Sequence, residues 1–205
     1  MISINVSKRV KTYNGYYNIL VDTKFPLHKT TQIIGPSGVG KTTLLRIIAG
    51  LLNPEKGRLV HDNETWLDTD KSINLAPQQR HIGFVFQDYA LFPNMTVEEH
   101  LQFGCKDENF INRLLQIGQL EQFKTHKPKH LSGGQQQRLS VLRALSTSPQ
   151  LLLMDEPFSA LDNTLKTSII SDLKNLFKEL KITCLVVTHQ PLDDLGFADF
   201  TFEMG

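Results

Sequence analysis

The sequence predicts an α/β fold, a mostly parallel sheet with helices on both faces and an antiparallel β edge. Residues 2–6 and 17–25 alternate apolar and polar side chains, the period of strands with one solvated face. Gln32-Ile33-Ile34 is a short strand that runs into a glycine-rich loop and then a helical stretch, 42–50. Leu151-Leu152-Leu153-Met154, a helix from about Asn163 to Lys181 and a β-branched strand over Thr183 to Thr188 repeat the strand–helix–strand order. Strands that alternate with helices in this way build a parallel sheet buried on both sides.

Taken in order, Met1-Ile2-Ser3-Ile4-Asn5-Val6 alternates like a strand and lacks the pattern of a cleavable export segment. Asn53-Pro54-Glu55-Lys56-Gly57 is a turn that stops the first helix. Ile82–Phe86 reads as a buried strand ended by Gln87-Asp88, and residues 95–147 read as helical. There Phe110, Leu114 and Ile117 share a face, with Ile111 and Leu115 beside them, as ordinary core packing requires. The 163–181 helix carries Ile169, Ile170, Leu173, Leu176, Phe177 and Leu180 on its buried side.

The 205 residues suit one domain, with no internal repeat or low-complexity linker. Lys plus Arg number 22 against 21 Asp plus Glu, so no strong field points to nucleic acid or an anionic membrane. Cys105 and Cys184 lie far apart without metal spacing, as buried thiols of a reducing compartment would. No apolar run approaches the roughly 18–20 residues that span a bilayer. The expected location is the cytoplasm, with any membrane association made through a partner.

The loop Gly35-Pro36-Ser37-Gly38-Val39-Gly40-Lys41-Thr42 puts glycines where backbone N–H groups must converge on phosphate oxygens. Lys41 would reach the β- and γ-phosphates of ATP, Thr42 would offer its hydroxyl to Mg²⁺, and Thr43 extends the same phosphate-binding turn. A helix starting near Gly40 aims its positive end at the anion. Asp155 and Glu156 end an apolar strand, a poor place for two acids unless a site uses them. Asp155 would hold Mg²⁺, and Glu156 would polarise or deprotonate an attacking water. Gln87 and His189 also follow strands. Alone, each is an ordinary polar residue, and their roles depend on the whole set.

Leu131-Ser132-Gly133-Gly134-Gln135 lies between the glycine-rich loop and the acid pair. With it, the chain resembles the nucleotide-binding subunits of ABC transporters over nearly its whole length. The resemblance runs through the P-loop, Gln87, LSGGQ with its Gln136-Gln137-Arg138 extension, Leu151–Glu156, Ser159-Ala160-Leu161-Asp162 and His189. It implies a P-loop NTPase fold. An ABC-type ATPase core over 1–88 and about 148–205 would be joined to a helical subdomain over about 89–147. Ser132, Gly133, Gly134 and Gln135 would then bind the γ-phosphate of ATP held by a second copy, and Asp162 would cross that homodimer interface. Gln87 would join the γ-phosphate and Mg²⁺ to the helical subdomain, and His189 would hydrogen-bond the γ-phosphate. Tyr13 would stack on adenine, with Tyr16 and Tyr17 as rivals.

Trp66-Leu67-Asp68 and residues 73–93 resemble the importer branch, most of all the ATPase subunits of molybdate importers, with relatives for sulfate, iron, polyamines and sugars nearby. The implied partners are permease subunits on the inner face of the cell membrane and, indirectly, a solute-binding protein, but no nucleic acid. Tyr89–Met95 would line the groove for a permease helix. There are two departures from the branch. The sequence stops at Gly205, just past the last core strand, where the branch usually continues into a β-rich regulatory domain, so that domain is expected to be either absent or cut off. The second is that Gln190-Pro191-Leu192-Asp193-Asp194 replaces Asp-x-x-Glu-Ala. The competing reading is a soluble ABC motor that moves no solute, although no heptad run supplies the coiled coil of the repair type.

Overall fold

A computed structural model describes residues 1–12, 15–189 and 191–205. In chain order the strands are β1 (Ile2–Thr12), β2 (Gly15–Phe25), β3 (Thr30–Ile34), β4 (Lys56–His61), β5 (Glu64–Asp68), β6 (Ile73–Asn74), β7 (Ile82–Val85), β8 (Leu151–Asp155), β9 (Thr183–Val187) and β10 (Phe200–Glu203). The helices are α1 (Lys41–Ile48), α2 (Val97–Gln102), α3 (Glu108–Ile117), α4 (Gly133–Ser146) and α5 (Asn163–Glu179).

Pairing direction sorts the strands into two sheets. The antiparallel sheet has the order β2-β1-β4-β5-β6 and the parallel sheet the order β10-β3-β9-β8-β7. In β1 the alternate residues Ile2, Ile4 and Val6 are buried, and Ile19, Val21 and Phe25 do the same in β2. A period of two therefore gives this sheet one core face. β8 and β9 are buried at every position, as strands covered on both faces must be.

β8 shows how one strand feeds two cores. Leu151 and Leu153 pack with Ile2, Ile4, Leu44 and Ile47, between the sheets and α1. Leu152 and Met154 point the other way, into Leu142, Leu145, Ile169 and Leu173 of α4 and α5. The predicted α/β architecture is thus observed, and β1, β2, β3, α1 and β9 lie where the sequence places them.

Five points differ from expectation. Strands β4–β6 were not predicted. The 95–147 stretch is interrupted: three α-helices are joined by loops and by single turns at Glu121–Phe123 and Pro128–His130. Leu180 caps α5 with its side chain outside the core, because the helix stops at Glu179 before that position can turn inward. Phe86 lies past the end of β7, and Cys105 is only partly buried although Cys184 is fully so. Among the described residues no helix is long and apolar enough to cross a membrane.

Candidate functional site

β3, β7, β8 and β9 are parallel neighbours, so their C-terminal ends share one edge of the sheet. Ligands of open α/β sheets bind at that edge. The loops that follow these strands enclose a cleft of about 270 Å³. Ser37, Gly38, Gly40, Lys41, Thr42 and Thr43 come from the loop after β3 and the start of α1, and Gln87 follows β7. Asp155 and Glu156 end β8, and His189 follows β9. Residues far apart in sequence thus meet because their strands are adjacent.

The phosphate-binding character of the cleft follows from the start of α1. Its N-cap is Gly40, which has no side chain to accept from the first-turn N–H groups. Leu44 N–H is the first to close an intrahelical bond, to Gly40 O at 2.8 Å. The earlier donors are therefore available to an anion at the helix's positive end. Gly35 has φ +146°, and a Cβ there would sit 2.2 Å from Met204 O, so only glycine fits. Pro36 and Val39 complete the loop, and Lys41 Nζ donates to Gly35 O at 2.8 Å and Pro36 O at 2.9 Å. The lysine is thereby folded over the loop that it would serve.

Asp155 is buried and Glu156 partly so, in the same cleft as Lys41. Burial raises the Asp155 pKa, opposed by a hydrogen bond from the Thr42 hydroxyl and by Arg46, Lys41 and His189. Burial also raises that of Glu156; His189 opposes the rise and Asp155 adds to it. Glu156 adopts φ +52°, a left-handed conformation uncommon for a side chain of this size. Its N–H donates to Val187 O at 3.0 Å, which ties the turn to β9. Glu156 Oε1 is buried without a hydrogen bond, 3.5 Å from His189 Nε2. A buried acceptor left open in a polar cleft suits an incoming water.

The LSGGQ residues stand outside this cleft. Ser132 caps α4: its Oγ accepts from Gln135 N–H at 3.3 Å, and Gln135 Oε1 accepts from Ser132 N–H at 2.8 Å. Gly133 is exposed, with open space around its Cα. Asp162 caps α5 by accepting from Leu165 N–H at 3.0 Å. Tyr13 falls outside the described residues. Tyr16 is exposed with the Arg9 guanidinium 3.9 Å over its ring, and Tyr17 is exposed as well. The sequence reading missed Arg46, which lines a second cleft beside Gln87 and Asp155. Its signal was the spacing of four from Thr42, which puts both on one face of α1.

A family model described as ABC transporter matches residues 20–159. The chain belongs to the ABC transporter family. Among ABC relatives, the molybdenum import ATP-binding protein ModC of Haemophilus ducreyi is 39% identical over 201 residues, covering 97% of this chain and 56% of that protein. The spermidine/putrescine import ATP-binding protein PotA of Bacillus cereus is 43% identical over 175 residues, covering 82% and 52%. The chain thus spans about half the length of these two curated relatives. A dimeric post-hydrolysis structure of the ATP-binding cassette MJ0796 bound to ADP and Pi superposes with a TM-score of 0.83 at 33% identity, covering 100% of this chain and 94% of that one. The ABC ATPase fold predicted from the motifs is the fold observed.

Proposed function

We propose that this chain binds and hydrolyses ATP at a site shared with a second copy of itself, and so powers an ABC importer. The observation that carries the reading is the division of parts. The P-loop, Asp155, Glu156, Gln87 and His189 converge on one cleft, whereas Ser132–Gln135 cap a helix outside it. Two copies arranged head to tail would each bring LSGGQ to the other's nucleotide.

In this reading the N–H groups at the start of α1 and the Lys41 ammonium hold the β- and γ-phosphates. The Thr42 hydroxyl and the Asp155 carboxylate line the same cleft. These two hard oxygen donors, with Gln87 alongside, fit Mg²⁺ completed by phosphate and water. When bound, Mg²⁺ would neutralise charge on the phosphate chain. Glu156 orients the attacking water and accepts its proton, and His189, beside Glu156, contacts the γ-phosphate. The partner subunit's Ser132, Gly133, Gly134 and Gln135 close over the γ-phosphate, with the positive end of α4 behind them. Asp162 couples the two sites across the interface. ATP fits the closed pair better than ADP does, and that difference drives opening and closing.

The groove for the permease helix is the loop before α2. Phe92 is exposed, its ring 5.4 Å from that of the still more exposed Phe103, and Arg143 lies over it at 5.4 Å. Gln87 links that loop to the cleft. For the solute we propose an oxyanion of the molybdate type. ModC similarity extends over 97% of the chain against 82% for PotA, and the sulfate/thiosulfate import protein CysA of Chlorella vulgaris, with the qualifier probable, covers 90%.

The test is steady-state phosphate release by wild type and Glu156→Gln, which keeps the shape and removes the base. A positioned base contributes on the order of 10²- to 10⁴-fold, so turnover should fall by at least about 100-fold while ATP still binds. Wild-type turnover in the variant would remove Glu156 from the mechanism.

A further inference from the structure

Gln137 lies on α4, and only 1% of its surface is exposed. Buried carboxamides are costly unless fully paired, and this one bonds a single turn. Its Nε2 donates to Glu156 O at 2.8 Å and to Ser159 Oγ at 3.1 Å. Its Oε1 accepts from Ala160 N–H at 2.9 Å. Ser159 Oγ in turn donates to Glu156 O at 3.2 Å. The side chain therefore fixes the peptide on the C-terminal side of Glu156, while Val187 O fixes the N–H on the other side. Between those anchors Glu156 keeps its left-handed φ of +52°.

The first turn of α4 rests on the same segment. A Cβ added to Gly134 would lie 3.1 Å from Ala160 O and 3.4 Å from Leu161 Cδ2. Ser132 caps the helix at that end. Any shift of α4 along its axis thus changes the Gln137 bonds and the backbone that aims Glu156.

We infer that Gln137 is a positioning residue that makes the two ATP sites cooperative. It rests on the proposed shared site. When this chain's Ser132–Gln135 engage the ATP of the second copy, α4 is set in place. Gln137 then sets the Glu156–Ala160 turn of this chain's own site. Occupancy of one site is thereby read as alignment of the base in the other, with no contact between Gln137 and nucleotide.

The experiment measures ATP hydrolysis against ATP concentration for the full chain, with Gln137→Met and Ser159→Ala. Methionine keeps the length and loses the hydrogen bonds. Ser159 is exposed, so its truncation spares the core. The wild type should show a Hill coefficient above 1. Because small misplacement of a reacting group costs up to about 100-fold, Gln137→Met should lose about 10-fold or more in kcat. Its half-saturating ATP concentration should stay within about twofold, with the Hill coefficient at 1. Ser159→Ala should shift both quantities the same way by less, and it decides the matter if Gln137→Met does not fold. Either variant with unchanged kcat and Hill coefficient overturns the proposal, as does non-cooperative hydrolysis by the wild type. A wild type that hydrolyses no ATP would instead remove the proposed function itself.

Discussion

His100 uses both ring nitrogens while fully buried. Nδ1 lies 2.6 Å from Thr96 O and therefore donates, and Nε2 accepts from Phe92 N–H at 2.9 Å. That pair of bonds exists only for the neutral Nδ1–H imidazole. The ring also lies 5.7 Å from that of Phe92, so it pins the exposed loop at its most apolar residue. Burial lowers its pKa below 6.5, Arg143 adds to the lowering, and the Thr96 carbonyl and Glu99 oppose it. The folded state thus binds its proton less readily than the unfolded chain. The stability gained is present above about pH 6.5 and lost as pH falls through the lower folded value. His61, also lowered chiefly by burial, adds in the same direction. Melting temperature followed from pH 8 to pH 5 should fall for the wild type. It should fall less for His100→Gln, which offers an acceptor to Phe92 that does not titrate in that range. Equal slopes for both proteins would remove His100 as a source of acid sensitivity.

Arg80 does for a helix end what His100 does for a loop. It is 1% exposed, and its guanidinium donates to two carbonyls at the end of α1, Ile48 O at 2.7 Å and Ile47 O at 3.0 Å, the second of which also accepts from Gly50 N–H at 3.0 Å. Further bonds reach Leu75 O and Asn74 Oδ1, so one side chain ties α1 to β6. Burial lowers its pKa to about 10, which leaves it charged at neutral pH. Arg80→Met would strand Ile48 O and Asn74 Oδ1, while Ile47 O would keep its bond from Gly50 N–H. At about 1–3 kcal/mol for each unsatisfied buried group, urea denaturation should show a loss of about 3 kcal/mol in stability. A loss below about 1 kcal/mol would mean that water takes over the helix end.

The same region shows where sequence signals fail. β4 and β5 form a hairpin through Asp62-Asn63, both left-handed at φ +44° and +72°. Glycine is the usual sign of such a turn, and none is present. A register shift between Leu59 and Val60 also breaks the period of two. Long alternation in β1 and β2, and the largely apolar runs of β8 and β9, had no such interruption. The cleft was legible because its parts are loops with fixed spacing. The role of Gln137 was not, since its partners Glu156 O, Ser159 Oγ and Ala160 N–H are brought near only by the fold.

At the scale of the whole molecule, one copy brings Lys41, Thr42, Gln87, Asp155, Glu156 and His189 around a single cleft. It leaves Ser132, Gly133, Gly134 and Gln135 on an outer helix end. The central claim is that a second copy completes the pocket, and sedimentation velocity tests it most directly. Glu156→Gln would be examined without nucleotide, with ADP and with MgATP, alone and combined with Ser132→Arg. The account predicts monomers without nucleotide and with ADP, a dimer with MgATP, and loss of that dimer when Ser132→Arg is added although ATP still binds. A protein that stays monomeric with ATP bound, or a dimer indifferent to Ser132→Arg, would contradict it.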